Sequence, residues 1–149
     1  IYVGNNVVIS TTSGLIEAYL PPPKPTSEWI EDLDRAYELA KEENKPIFLD
    51  FTGYTCTNCR WMEINIFEQK NIIGLFDKFI LAKLYTDGRE KKHKRYRELE
   101  IERFNTAALP FYVIISPSDE VISTFPGYNT NVALFETFLK DGLNAFKDR

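Results

Sequence analysis

Cys56-Thr57-Asn58-Cys59 holds both cysteines of the chain, and two thiols spaced C-x-x-C can close a disulfide on themselves and reopen it. They follow the apolar run Pro46-Ile47-Phe48-Leu49-Asp50-Phe51, which places them at a strand-to-helix junction. At a helix N-terminus the unpaired N–H groups and the macrodipole favour the thiolate, the nucleophilic form. Cys56 is therefore the attacking, more exposed sulfur, and Cys59, one turn inward, resolves the mixed disulfide. With a single histidine, His93, the two cysteines cannot complete a four-ligand zinc site in one chain; zinc shared between two chains is the remaining metal option. A purely structural Cys56–Cys59 bridge would close too small a loop to remove much unfolded-state entropy. The reading is thiol–disulfide exchange with no metal and no cofactor beyond the redox-active disulfide.

Other residues bear on that chemistry. Asp50 interrupts an otherwise apolar strand six residues before Cys56. A buried carboxyl there would have a raised pKa, and placed under Cys59 it could take that thiol's proton as general base. The alternative is that it points to a polar loop as a cap. Glu63 lies four residues beyond Cys59, one helical turn, so the two share a face unless Glu63 is a solvated helix residue. Two acids beside one thiol pair would raise thiol pKa values by repulsion with the thiolate. Leu109-Pro110 opens a second apolar strand and is a candidate cis peptide, or an ordinary trans strand-edge proline. A cis bond would exclude metal, shape a groove and leave the Leu109 backbone free for an extended substrate. Tyr54, Trp61 and Tyr128 are candidates for the rim of that groove, Trp61 equally for the core. His93, in Lys91-Lys92-His93-Lys94-Arg95, either steers an acidic partner or sits on a solvated helix face.

The elements that must position these residues can be read along the chain. Asn6–Ile9 and Leu15–Leu20 are β-like. Pro21-Pro22-Pro23-Lys24-Pro25 is a semi-rigid spacer that no helix crosses, so residues 1–25 read as an extension and linker and 26–149 as the domain. A helix with Thr26 or Ser27 as N-cap carries Trp29, Ile30, Leu33, Ala36, Tyr37 and Ala40 on one face and stops at Asn44-Lys45-Pro46. Pro46–Thr52 reads as a buried strand, followed by a helix from the cysteines to about Phe67 and a shorter one over Asn71–Phe76. A strand over Lys78–Tyr85 and a charged helix over Gly88–Phe104 come next. Phe111–Ile115 and Val121–Phe125 form a hairpin before a final helix from Asn131 to Lys147. This order predicts an α/β domain, a central mixed sheet with helices on both faces, with chemistry at the C-terminal ends of its parallel strands.

Composition excludes some classes. A chain of 149 residues with 44% hydrophobic and 27% charged content is of ordinary globular make-up and one-domain size. Its net charge of −4 argues against nucleic-acid binding, which needs a concentrated positive field. It has no apolar run of the roughly 18 residues a membrane helix requires. The chain starts at Ile1 without a methionine or a visible signal peptide, which suggests a piece of a longer precursor.

Phe48-Leu49-Asp50-Phe51-Thr52-Gly53-Tyr54-Thr55-Cys56-Thr57-Asn58-Cys59 resembles the strand, buried acid and redox loop of the thioredoxin superfamily. Ala108-Leu109-Pro110-Phe111 is similar to its cis-proline segment, and Phe125-Pro126-Gly127-Tyr128 to the glycine turn that completes its substrate surface. The likeness spans about residues 26–147 and implies a thioredoxin-like fold. Cys56 through Glu63, Leu84-Tyr85-Thr86-Asp87 and Phe138 through Leu143 most resemble the C-terminal periplasmic domain of DsbD-type thiol:disulfide interchange proteins. That resemblance implies a reductase that takes electrons from a membrane-embedded domain of the same precursor and passes them to periplasmic or other extracytoplasmic thioredoxin-like proteins. It carries the thiol roles onto Cys56 and Cys59, proton management onto Asp50 and Glu63, and substrate binding onto Leu109, Pro110 and Gly127. Thr55 stands where most thioredoxins have tryptophan, and residues 86–104 form a longer charged segment.

Direction follows from charge. A strong oxidant needs an unusually stable thiolate, yet Thr57-Asn58 puts no cation between the cysteines and two acids flank them. Thioredoxin-like and DsbA-like potentials differ by about 150 mV, about 7 kcal/mol for two electrons, so local charges matter. The sequence favours a reductase. A free-standing thioredoxin-like oxidoreductase or isomerase is the rival within the class, and a non-catalytic thioredoxin-fold binding module the rival outside it.

Overall fold

A computed structural model of the chain describes residues 24–149 and the backbone of a two-stranded antiparallel ladder, β1 (Tyr2–Val3) against β2 (Asn6–Val7). Val8 and Ile9 of the first β-like stretch, the whole of Leu15–Leu20 and the prolines Pro21–Pro23 lie outside the described residues. The main sheet has four strands, β3 (Ile47–Thr52), β4 (Ile80–Tyr85), β5 (Phe111–Ile115) and β6 (Val121–Phe125), in the order β4-β3-β5-β6. β3 runs parallel to β4 and antiparallel to β5, and β6 returns antiparallel to β5. This is the expected mixed sheet, with five helices on its two faces.

Alternation along the strands divides the core. Phe48, Leu81, Tyr112 and Ile114 face one way and pack with α2 (Thr57–Asn65), α3 (Lys70–Phe76) and α5 (Val132–Lys147). Ile47, Leu49, Phe51, Ala82, Leu84 and Val113 face the other way, against α1 (Leu33–Glu43) and α4 (Lys91–Phe104). Aromatic rings fill the first layer. Phe48 lies within 6.4 Å, centroid to centroid, of Trp29, Phe67, Phe76, Phe79, Tyr112, Phe135 and Phe138. Gly142 lets α5 close on the sheet, since a Cβ there would stand 2.3 Å from Ile114 Cδ1.

The first helix corrects the sequence reading. It starts at Leu33, with Asp32 as N-cap accepting from Arg35 N at 3.1 Å, not at Thr26 or Ser27. The preceding residues pair with the free edge of β4 instead: Ile30 N donates to Leu81 O at 2.8 Å and Lys83 N donates to Ile30 O at 2.9 Å. Trp29 and Ile30 then pack into opposite layers, the period of a strand rather than a helix. The helix ends as read, at Asn44 in the left-handed region (φ 52°), whose N–H reaches Ala40 O. Three other boundaries move inward. α2 ends at Asn65 because Ile66 N and Phe67 N share Met62 O. β4 starts at Ile80 because Lys78 and Phe79 turn back onto Leu75 O and Phe76 O. α4 starts after Glu90, where the His93 ring accepts from Glu90 N at 3.2 Å.

Candidate active site

β3 delivers both the buried acid and the thiols. The same alternation that buries Phe48 under α2 puts Asp50 and Thr52 on that face, beneath the helix that follows. Beyond Thr52 the chain turns, and Cys56 becomes the N-cap of α2 in extended conformation (φ −96°, ψ 107°), its sulfur accepting from Cys59 N at 3.2 Å. Cys56 and Cys59 are joined as a disulfide with their Cα atoms 5.2 Å apart. Cys56 is half-buried while Cys59 is 1% exposed, so an incoming group meets Cys56 first.

The loop carrying Cys56 is gripped from two sides. Asp87, just past β4, accepts from Tyr54 N at 2.9 Å and from Thr55 N and Thr55 Oγ1 at 3.4 Å. From beneath, Arg60 Nη1 donates to Tyr54 O at 3.2 Å. Gly53 keeps these parts close, since a Cβ there would lie 3.0 Å from Asp87 Oδ2 and 3.1 Å from Leu109 Cδ1.

Between β3, β4 and α2 lie four buried charged side chains. Asp50 is 1% exposed and aligned in register with Lys83 on β4 and Tyr112 on β5. Its Oδ1 has no hydrogen-bond partner. Burial pushes its carboxyl up to about 7 and Glu63 adds to the rise, while Lys83 and Arg60 oppose it. Glu63 is buried rather than solvated: Arg60 Nη2 donates to its Oε2 at 2.8 Å, and Lys83 Nζ lies 3.8 Å from its Oε1. Arg60, 1% exposed, also donates from Nη2 to Thr52 Oγ1 at 3.2 Å. Lys83 covers the Trp29 ring at 4.8 Å. Two acids were legible in the sequence; the two bases that answer them were not singled out. Lys83 carries the same signal that flagged Asp50, a charge inside an apolar strand, and Arg60 stands three residues from Glu63 on one helix face.

The Leu109–Pro110 peptide is cis. It borders a cleft of about 470 Å³ whose lining, including Asn58, Phe104, Leu109, Gly127 and Tyr128, carries no charged side chain. Gly127 sits at φ 78°, where a Cβ would come within 3.0 Å of Pro110 O. Trp61 and Tyr54 do not line this cleft. Trp61 meets Tyr128 edge-on at 5.1 Å and packs on the core. Tyr54 stacks on Tyr85 at 3.8 Å on the other side of the loop. Another concavity, of about 900 Å³ around Pro46, Asp77, Ser116 and Leu143, is at the far end of the sheet, where β3 begins.

His93 is neither a steering charge nor a solvated residue. It is buried, and its ring fills the space beside Gly88, where a Cβ would meet Nδ1 at 2.0 Å. Its basic neighbours are exposed, with Lys94 paired to Glu98 and Arg95 to Asp34. Among the described residues no cluster of three or more His, Cys, Asp and Glu is placed to hold a metal ion, and no helix is long and apolar enough to cross a membrane.

Residues 28–117 match the Thioredoxin-like family model. Uncharacterized protein B0495.5 of Caenorhabditis elegans is 29% identical over 91 residues, 60% of this chain but 12% of that protein; the chain thus spans a small part of this relative's length. Among solved structures, a thioredoxin from Thermus thermophilus superposes with a TM-score of 0.64 at 18% identity, over 76% of this chain and 84% of its own. A DsbH oxidoreductase gives 0.64 at 16%, over 95% of each chain. The reduced C-terminal domain of Neisseria meningitidis DsbD gives 0.60 at 16%, over 74% of this chain and 93% of its own. At these identities the structural likeness speaks for the fold. With the family match over most of the domain and a C-x-x-C disulfide at the head of α2, the chain belongs to the thioredoxin-like family and carries a thioredoxin-like oxidoreductase fold.

Proposed function

We propose that the protein is a thiol:disulfide oxidoreductase that works as a reductase of disulfides in other proteins. The observation that carries this reading is the pairing of a half-buried, helix-capping Cys56 with a fully buried Cys59 at the head of α2, the helix whose Arg60 and Glu63 act on the buried acid Asp50. In the reduced enzyme the Cys56 thiolate attacks one sulfur of the substrate disulfide. The substrate S–S bond breaks and one substrate thiolate leaves. Cys59 then gives its proton to the Asp50 carboxylate and attacks Cys56 Sγ. The mixed disulfide breaks, the second substrate thiolate leaves, and the enzyme holds its own disulfide, having passed on two electrons. The uncharged cleft beside cis-Pro110 is the place for the substrate segment.

One feature supports the reducing direction: Thr57 and Asn58 bring no cation between the sulfurs. In the DsbD-like form of this reading the donor is a membrane-embedded domain of the same precursor, and the acceptors are periplasmic or other extracytoplasmic thioredoxin-like proteins. The sequence likeness around Cys56–Glu63 supports it, together with the structural likeness to a DsbD C-terminal domain. A free-standing thioredoxin-like oxidoreductase is the second reading, supported by the equal or better superposition on a thioredoxin.

Trapping separates both from a binding module. Cys59→Ser should accumulate a mixed disulfide through Cys56 with an oxidised protein substrate, and Cys56→Ser should accumulate almost none. Equal trapping by both variants, or none by either, would sink the assignment of attacking and resolving thiols.

A further inference from the structure

Two buried carboxyls, Asp50 on β3 and Glu63 on α2, share one charged cluster, and the structure treats them unequally. Glu63 Oε2 accepts from the Arg60 guanidinium at 2.8 Å, and Lys83 Nζ lies 3.8 Å from its other oxygen. Asp50 Oδ1 and Glu63 Oε1 both lack a hydrogen-bond partner, but among the described residues only Glu63 is held in ion pairs, with Arg60 and Lys83. Arg60 makes the difference, because its 1% exposure and its bonds to Thr52 Oγ1, Tyr54 O and Glu63 Oε2 fix the guanidinium between the end of β3, the redox loop and α2.

We propose that Arg60 is a positioning residue for the resolving proton: by holding Glu63 in a buried ion pair it leaves Asp50 as the one of the two carboxyls without an ion-pair partner among the described residues, and its charge helps set the pH at which Asp50 takes a proton. This rests on the reductase reading for its purpose but not for its test. The titratable groups facing Asp50 are Lys83 and Tyr85 from β4, Tyr112 from β5, and Arg60 and Glu63 from α2. With Asp50 ionised, the four charged members Asp50, Arg60, Glu63 and Lys83 sum to zero. Removing Arg60 leaves a net negative cluster, which makes ionising Asp50 harder. Removing the Glu63 charge as well restores the balance, and removing it alone leaves a net positive cluster.

The test is the titration midpoint of the Asp50 side-chain carboxyl, followed by carbon NMR in the oxidised protein, where neither cysteine titrates. Arg60→Met should raise the midpoint by one pH unit or more, the scale expected of a unit charge a few ångströms away in a partly buried site. Arg60→Met with Glu63→Gln should return it to the wild-type value, Glu63→Gln alone should lower it, and Arg60→Lys should leave it near wild type. In the reduced protein, resolution of a mixed disulfide at pH 7 should be about fivefold slower or more in Arg60→Met and near normal in the double variant. If Arg60→Met fails to fold, Arg60→Met with Glu63→Gln compared with Glu63→Gln alone still decides the matter, because loss of the arginine charge should raise the midpoint between those two and a merely structural arginine predicts no difference. Unmoved midpoints, or a rise that persists in the double variant, would overturn the proposal. Either could happen while the trapping result still holds, so this inference and the reductase reading can fail separately.

Discussion

Replacing Asp50 by asparagine should stabilise the oxidised protein, and by an amount that grows with pH. The carboxyl is held at about 7 in the folded chain against an ordinary 3.8, chiefly because it is buried. The folded state therefore binds its proton more tightly than the unfolded state does. Below pH 3.8 both states are protonated and the residue costs nothing. As pH rises through this window the unfolded chain ionises first, and stability is lost until the folded carboxyl also ionises near pH 7. At pH 8 the full difference corresponds to about 4 kcal/mol. At pH 5 only part of it is felt, so the advantage of Asp50→Asn over the wild type should widen by about 2–3 kcal/mol between pH 5 and pH 8. Glu100, another buried carboxyl, pushed up to about 8 by burial, titrates in both proteins and cancels. Urea denaturation of the disulfide form at several pH values measures the gap directly. The fixed cost of fitting an amide shifts every value equally and leaves the slope alone. A gap that stays flat from pH 5 to pH 8 would refute the reasoning. The same variant should resolve mixed disulfides slowly, since the asparagine cannot accept the proton from Cys59.

Other substitutions probe the parts that hold the site. Gly127→Ala forces a Cβ into the left-handed region and within 3.0 Å of Pro110 O; it should cost about 1–2 kcal/mol and lower kcat/KM for protein disulfides while leaving alkylation of Cys56 by a small reagent unchanged. Asp87→Ala removes the acceptor for Tyr54 N, Thr55 N and Thr55 Oγ1. Because Asp87 is exposed, the loss of stability should be about 1 kcal/mol, and hydrogen exchange at the Tyr54 amide should accelerate relative to the strand amides. Asn44→Ala places a Cβ-bearing residue without a compensating side chain at φ 52°, and should lower stability to urea by about 1 kcal/mol.

Much of the site was legible because its signals are local. C-x-x-C after an apolar strand locates a helix-capping thiol, and a charge inside that strand locates a group the fold must bury. Leu109-Pro110 at a strand start marks a possible cis bond, although only the folded chain shows which isomer is present. What stayed hidden depends on tertiary neighbours. Lys83 and Arg60 become the counterparts of Asp50 and Glu63 only once β4 aligns with β3 and α2 packs over both. Trp29 and Ile30 fit a helical stripe as well as they fit a strand. The free edge of β4 decided for the strand, because it offered backbone partners that no sequence window displays. His93 read as part of a charge run because its neighbours are charged, yet the packing beside Gly88 turns its ring inward. Tyr54 and Trp61 both flank the cysteines in sequence, but they stand away from the uncharged cleft next to Pro110.

The central claim is that the Cys56–Cys59 disulfide delivers electrons to other proteins rather than withdrawing them. Its equilibrium with a glutathione buffer of known composition, followed by quantifying the reduced and oxidised forms, gives the reduction potential. A value on the thioredoxin side of the scale, about −220 mV or lower, is the predicted result. A value near that of DsbA, about −120 mV, would contradict the reducing assignment and with it the reading of Thr57-Asn58.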